Sequence, residues 1–94
     1  MLTSEQIRAA RALLRWEQKD LAEASKVSLP TVKRLEGKAG EMRANAVTLD
    51  ALERALTNAG IEFTNGDAPG VRLRLRPAVS DHPPLATGRV VGED

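Results

Sequence analysis

Two neighbouring cations, Lys33 and Arg34, lie in a segment whose apolar residues recur at helical spacing. At about 100° per residue, both cations fall on the same outward arc as Leu29 and Pro30. An arginine can hold a guanine through two parallel hydrogen bonds, a lysine can reach guanine or phosphate, and a leucine can contact a thymine methyl group. The chemistry that this arc could perform is the recognition of base edges in a DNA major groove.

The same arc has a simpler interpretation, in which its charges belong to an ordinary solvated helix face and only keep the protein soluble. The surrounding sequence favours recognition. The segment QKDLAEASKVSLPTVKRLEG, residues 18–37, predicts two short helices joined by a tight turn at Ser25-Lys26-Val27. Two helices joined in this way can place the second one in the major groove.

Residues at the ends of both helices suit a nucleic-acid contact. Ser28 is expected to cap the second helix, Pro30 is tolerated in its first turn, and Gly37 is expected to end it in the left-handed conformation. Gln18 lies in the first turn of the preceding helix, where a side-chain amide beside free backbone N–H groups can meet a phosphate. The residues expected to contact DNA are Gln18, Ser28, Leu29, Pro30, Thr31, Lys33, Arg34 and Lys38.

A first helix is predicted over residues 4–15 from an apolar stripe that includes Ile7 and Leu14. Arg11 falls on this stripe, and a charge at a buried position needs a partner. Glu36, at the inward edge of the second helix of the pair, is the partner that we expect. The sequence therefore predicts a buried ion pair between Arg11 and Glu36.

Residues at both ends of this first helix carry further signals. Thr3 and Gln6 have the spacing of a capping box at its start. Trp16 lies between its end and the next helix, where it could pack between helices or stack on a base. Its position before a helix start favours packing.

In the C-terminal half of the chain, the spacing of apolar residues changes from helical to alternating. Asn45 is predicted to cap a fourth helix over residues 46–58. Beyond it, residues 61–64 and 71–76 alternate apolar and polar side chains around a loop rich in turn formers, which predicts a β-hairpin. An isolated hairpin is marginal in water, so its apolar side chains should pack on the helices or pair with a second subunit. These side chains, which we expect to form a dimer contact, are Ile61, Phe63, Val71, Leu73 and Leu75.

The expected organisation is a helical DNA-binding domain over residues 1–60, a hairpin over residues 61–76, and a disordered or loosely ordered tail over residues 77–94. The tail is predicted from its prolines and its lack of any sustained period. It holds the only histidine, His82, which is expected to be solvated and not a metal ligand.

Composition narrows the class of protein. The chain has 94 residues, a net charge of +1 and no cysteine, which excludes disulfides and thiolate metal sites. No apolar run approaches a membrane span, and a helix is expected at the N-terminus instead of a signal peptide, so we expect a cytoplasmic protein without a membrane partner. With no tyrosine, no nucleophile–base pair and no phosphate-binding glycine loop, an enzyme or a cofactor is not expected.

Residues 7–60 resemble the phage Cro and lambda-repressor type of helix-turn-helix domain, the xenobiotic response element (XRE) family. The resemblance is carried by the segment from Gln18 to Gly37, and the later stretch ALTNAGIEFTNG followed by GVRLR looks like small single-domain bacterial regulators of that family. It covers a little over half of the chain. It implies a mainly α fold, a four-helix Cro/repressor-like domain, here followed by the hairpin.

The resemblance also implies roles for single residues. Gln18 matches a glutamine that touches phosphate and can support the base-reading residues, and Arg11 and Glu36 match a buried ion pair. The chain departs from the family where Lys26 replaces the usual turn glycine, which puts a bulky residue at positive φ at a cost of roughly 1 kcal/mol. The hairpin replaces the fifth helix, which leaves the dimer geometry open.

Three functions fit these features. The first is a transcriptional regulator that binds double-stranded DNA in the nucleoid as a homodimer on an inverted-repeat operator, because one short helix contacts too few base pairs to select a site. The second is an antitoxin, which would bind a toxin protein and repress its own operon through the same DNA site. The third is a protein-interaction module that has lost DNA binding, against which Gln18, Lys33 and Arg34 argue.

Overall fold

The computed structural model describes residues 2–75, so the predicted tail and His82 lie outside the described residues. Within that range the protein is mostly helical, with four helices followed by a two-stranded antiparallel hairpin, as predicted. The elements are α1 (Ser4–Leu14), α2 (Gln18–Ser25), α3 (Leu29–Glu36), α4 (Ala46–Asn58), β1 (Ile61–Thr64) and β2 (Gly70–Leu73). None of the helices between residues 2 and 75 has the length and apolar character needed to cross a bilayer.

Local capping determines where three of the helices begin. Thr3 caps α1 in a capping box with Gln6, whose backbone N–H donates to the threonine hydroxyl over 3.1 Å. Ser28 caps α3, and Asn45 caps α4 by accepting the Thr48 N–H at 2.8 Å. These predicted caps are confirmed, because each depends only on residues three positions apart.

The helix ends agree with the sequence in one place and depart from it in another. Lys26 adopts the left-handed conformation, with φ of 64°, as predicted for the turn between α2 and α3. The prediction of a left-handed Gly37 is wrong, since its φ is −77°. Its N–H donates back to the carbonyls of Lys33 and Arg34, so the chain continues in a right-handed turn, and positive φ occurs instead at Gly40.

One core joins all four helices to the hairpin. Trp16 is partly buried against it, in agreement with the packing role that its position favours. The buried apolar side chains are Ile7, Ala10, Leu21, Val32, Leu35, Met42, Leu52, Ala55, Leu56 and Ile61.

The hairpin packs on the helices of its own chain. Ile61, paired with Leu73 in the strand register, is only 1 % exposed, and the other apolar side chains of the two strands are partly buried against the same core. The Gln6 amide secures the hairpin to α1, donating to the backbone carbonyls of Thr64 (2.9 Å) and Gly70 (3.1 Å). Of the two predicted places for this face, the structure therefore shows packing on the helices.

The second strand is shorter than predicted, and Leu75 does not join the apolar face. It lies beyond the end of β2 and is 91 % exposed. The last cross-strand bond runs from the Arg74 N–H to the Gly60 carbonyl at 2.8 Å, and the residues before Gly60 already belong to the end of α4. Beyond this point the chain has no strand to pair with, so the alternation of apolar and polar residues no longer places side chains on two faces of a sheet.

Candidate nucleic-acid interface

The outward face of α3 carries the cations that the sequence assigned to it. Lys33 and Arg34 are exposed, whereas Val32 and Leu35, on the opposite side, are 1 % and 5 % exposed. Leu29 is only partly exposed, so less of its surface than expected is available to a thymine methyl group. The amphipathic division of the helix thus leaves the two cations facing outward.

Within residues 2–75, several cations in and after α3 have no acidic partner. No carboxylate oxygen in residues 2–75 lies within 4.0 Å of the charged groups of Lys33, Arg34 or Lys38. In contrast, Arg54 pairs with Asp50 at 2.6 Å on the exposed face of α4. An unpaired cation does not lose an internal ion pair when it binds a phosphate or a guanine.

The first turn of α3 satisfies its own polar groups. The Ser28 hydroxyl accepts the Thr31 N–H at 3.3 Å and donates to the Thr31 hydroxyl at 2.9 Å. Ser28 and Pro30 are exposed, while Thr31 is partly buried. These short groups at the N-terminal end of α3 leave room for a close approach of another backbone.

A buried ion pair lies behind this face, as the stripe on α1 predicted. Arg11 donates through Nε to Glu36 Oε2 at 2.8 Å and through Nη2 to Glu36 Oε1 at 2.7 Å, which makes the pair bidentate. Arg11 Nη1 also donates to the Trp16 carbonyl at 2.9 Å. The exposed fraction of the side chain is 3 % for Glu36 and 18 % for Arg11. Because two parallel hydrogen bonds set both distance and direction, this pair holds α3 in one orientation against α1.

Gln18 joins the same network from the start of α2. Its Nε2 donates to Glu36 Oε1 at 3.2 Å, so the glutamine links α2 to α3. The predicted contact of Gln18 with a phosphate stays a prediction. The observed bond is the kind of support for α3 that the resemblance implied for this residue.

A cavity at the C-terminal end of α3 is lined in part by Arg43, a cationic side chain that the sequence did not assign to the interface. About 240 Å³ in volume, it is lined by Arg34, Leu35, Lys38, Ala39, Glu41, Met42 and Arg43. Arg43 belongs to the loop between α3 and α4 and has no carboxylate partner within residues 2–75. A charged residue in an aperiodic loop has no sequence signal for its direction, so only the course of the loop reveals this placement.

Neither a metal site nor a relative indicates a function. Within the part of the chain that the structure describes, no group of three or more His, Asp or Glu side chains could hold a metal ion. Comparisons of the chain with protein-family models, with curated proteins and with solved structures find no match.

Proposed function

We propose that this protein is a sequence-specific double-stranded-DNA-binding regulator of the Cro/lambda-repressor helix-turn-helix type, with α3 in the major groove. The observation that carries the proposal is that Lys33 and Arg34 are exposed on the side of α3 opposite its buried stripe and have no ion-pair partner among residues 2–75. Arginine is the side chain best matched to the two acceptors of guanine in that groove. Lys33 and Lys38 supply charge that phosphates can neutralise.

The network behind α3 supports the same function. A base-reading side chain discriminates only if its helix is held within a fraction of an ångström, and buried, mutually hydrogen-bonded residues supply that rigidity. Glu36, on α3 itself, is held by Arg11 of α1 and by Gln18 of α2. The three helices thus fix the reading face, the exposed side of α3 that carries Lys33 and Arg34, before DNA binds.

We further propose that the regulator acts as a homodimer on an inverted repeat. One α3 spans only a few base pairs, so two copies are needed to select a site. Since Ile61 is buried in its own core, the hairpin contribution to a dimer would come from Leu75 and from the parts of Phe63, Val71 and Leu73 that remain exposed.

The test begins with selection of bound duplexes from a random pool by the full chain, followed by titrations at two salt concentrations. We expect an enriched site with two-fold symmetry and affinity that falls steeply with salt. Arg34→Ala should cost roughly 1–3 kcal/mol of binding free energy on that site and relax the preference at one base pair per half-site. Lys38→Ala should weaken binding to selected and scrambled duplexes by more similar factors, because a phosphate contact carries little sequence information.

Arg54→Ala is the matched control, since Arg54 is an exposed arginine already paired on α4. It should leave the base preference unchanged. Failure of the wild-type chain to enrich any duplex would contradict DNA binding. Unchanged affinity and preference in Arg34→Ala would contradict the assignment of the reading face.

A further inference from the structure

The loop between α3 and α4 is attached to the N-terminal residues of the chain. The Ser4 N–H donates to the Gly40 carbonyl at 2.9 Å, and the Met42 N–H donates to the Leu2 carbonyl at 3.3 Å. Thr3 and Glu41 form an antiparallel bridge between these two bonds. The loop therefore runs beside the first residues of α1 over this stretch and does not project freely into solvent.

One side chain, Glu5, closes this attachment. Its carboxylate accepts the Gly40 N–H at 3.0 Å through Oε1 and at 3.3 Å through Oε2, across 35 residues of chain. Hydrogen bonds from its own backbone N–H and from the Gly40 N–H lower the pKa of Glu5, so the carboxylate is charged at neutral pH. Gly40 has a φ of 88°, a conformation that orients its N–H toward the glutamate and that other residues rarely adopt.

The attached loop carries cations of the candidate interface. Lys38 and Arg43 lie on either side of Gly40 in the sequence and share a cavity with Arg34 of α3. Met42, 5 % exposed, fixes the far side of the loop in the core. The distance from the loop cations to the reading face thus depends on where Gly40 is held.

We propose that Glu5 is a positioning residue for DNA binding, which holds the α3–α4 loop so that Lys38 and Arg43 meet backbone phosphates beside the groove that α3 enters. This inference rests on the proposed function. Phosphate contacts of this kind set the register of a protein on the duplex. If the loop were ordered only during binding, the entropy lost in ordering it would offset part of the free energy that the phosphate contacts contribute.

The sign of one substitution separates this role from simple electrostatics. Removing a negative charge from a DNA-binding protein ordinarily strengthens binding, because one repulsion to the phosphates disappears. If Glu5 positions the loop, its removal must weaken binding in spite of the relieved repulsion. If Glu5 acted only through the positive end of the α1 helix dipole, its removal would lower the stability of the protein without changing the number of phosphates bound.

The experiment compares wild type, Glu5→Ala and Glu5→Gln on the selected duplex over a range of salt concentrations. Glu53→Ala is the charge-matched control, since Glu53 is exposed on α4 and has no ion-pair partner in residues 2–75. We expect Glu5→Ala to bind about tenfold more weakly and to lower the salt slope by roughly 0.9 for each phosphate that is no longer neutralised. Glu5→Gln keeps an oxygen for the Gly40 N–H and should retain most of the affinity, whereas Glu53→Ala should bind as tightly as wild type or slightly tighter.

Thermal melting and amide hydrogen exchange accompany each titration. Faster exchange at Met42, whose N–H donates to the Leu2 carbonyl and not to Glu5, supports a released loop in folded Glu5→Ala if the protection of α4 is unchanged. The inference is overturned if folded Glu5→Ala binds as tightly as wild type with an unchanged salt slope. It is also overturned if Glu5→Gln loses as much affinity as Glu5→Ala. Wild-type protein that binds no duplex would overturn the proposed function itself, a result distinct from either of these.

Discussion

At the scale of single residues, burial decides how much an ion pair matters. Arg11 and Glu36 are bidentate and largely hidden from solvent, whereas Asp50 and Arg54 form a pair of similar length on the surface of α4. A buried charge that loses its partner keeps the full cost of its desolvation, and an exposed one is simply rehydrated. The two pairs should therefore respond very differently to truncation.

Glu36→Ala should lower the free energy of unfolding by about 3–5 kcal/mol, because it leaves the Arg11 guanidinium partly buried without its carboxylate. Asp50→Ala, the surface control, should cost at most about 1 kcal/mol. Urea denaturation of both variants measures the difference. Equal, small losses in the two variants would show that the Arg11–Glu36 pair is not a buried one in solution.

At the scale of elements, backbone conformation outside the helices stores some strain. Lys26, which follows α2, and Arg15, which follows α1, both occupy the left-handed region, with φ of 64° and 58°. A side chain there crowds the following carbonyl, a cost that glycine does not have. The turn between α2 and α3 thus forms in spite of the residue at its centre, held by the packing of the helices on either side.

Lys26→Gly should raise the free energy of unfolding by about 0.5–1 kcal/mol, since relief of the left-handed strain exceeds the entropy that glycine adds to the unfolded chain. Glu23→Gly is the control, because Glu23 is exposed within α2 and already has helical geometry. It should lower the free energy of unfolding, measured by the same urea denaturation, by roughly 1 kcal/mol. A Lys26→Gly variant less stable than wild type would mean that the turn tolerates lysine without strain.

At the scale of the whole molecule, the hairpin is part of the core and not an appendage. Ile61 is as buried as Ile7 of α1, and the Gln6 amide bonds to both strands. Helices from the N-terminal half and strands from the C-terminal half therefore stabilise one another. A small domain with net stability of roughly 5–15 kcal/mol has little margin for losing such an element.

A chain ending at Gly60 should be unstable or monomeric, because it loses the burial of Ile61, about 1.5–3 kcal/mol by itself, and the packing of the other strand residues. A chain ending at Arg76 should keep the fold and the dimer. Melting curves and sedimentation equilibrium on both chains check this. If a chain ending at Gly60 forms a cooperatively folded dimer, the hairpin is needed neither for the stability of the fold nor for dimerisation.

Most of the features that could be predicted from the amino-acid sequence are local ones. The caps at Thr3, Ser28 and Asn45, the helical periods and the positive φ of Lys26 depend on residues within a turn or two of one another. The ion pair between Arg11 and Glu36 could also be predicted, because a charge on an apolar stripe requires a partner at an inward position.

Tertiary packing determines the features that depend on distant parts of the chain. The end of β2 before Leu75 is set by the point at which α4 gives way to β1, and the right-handed Gly37 belongs to a loop that turns at Gly40 instead. The hydrogen bond from the Gly40 N–H to Glu5, and with it the placement of Arg43 beside α3, joins segments 35 residues apart. No periodicity or cap signals such a contact, because its energy depends on the packing of the intervening helices.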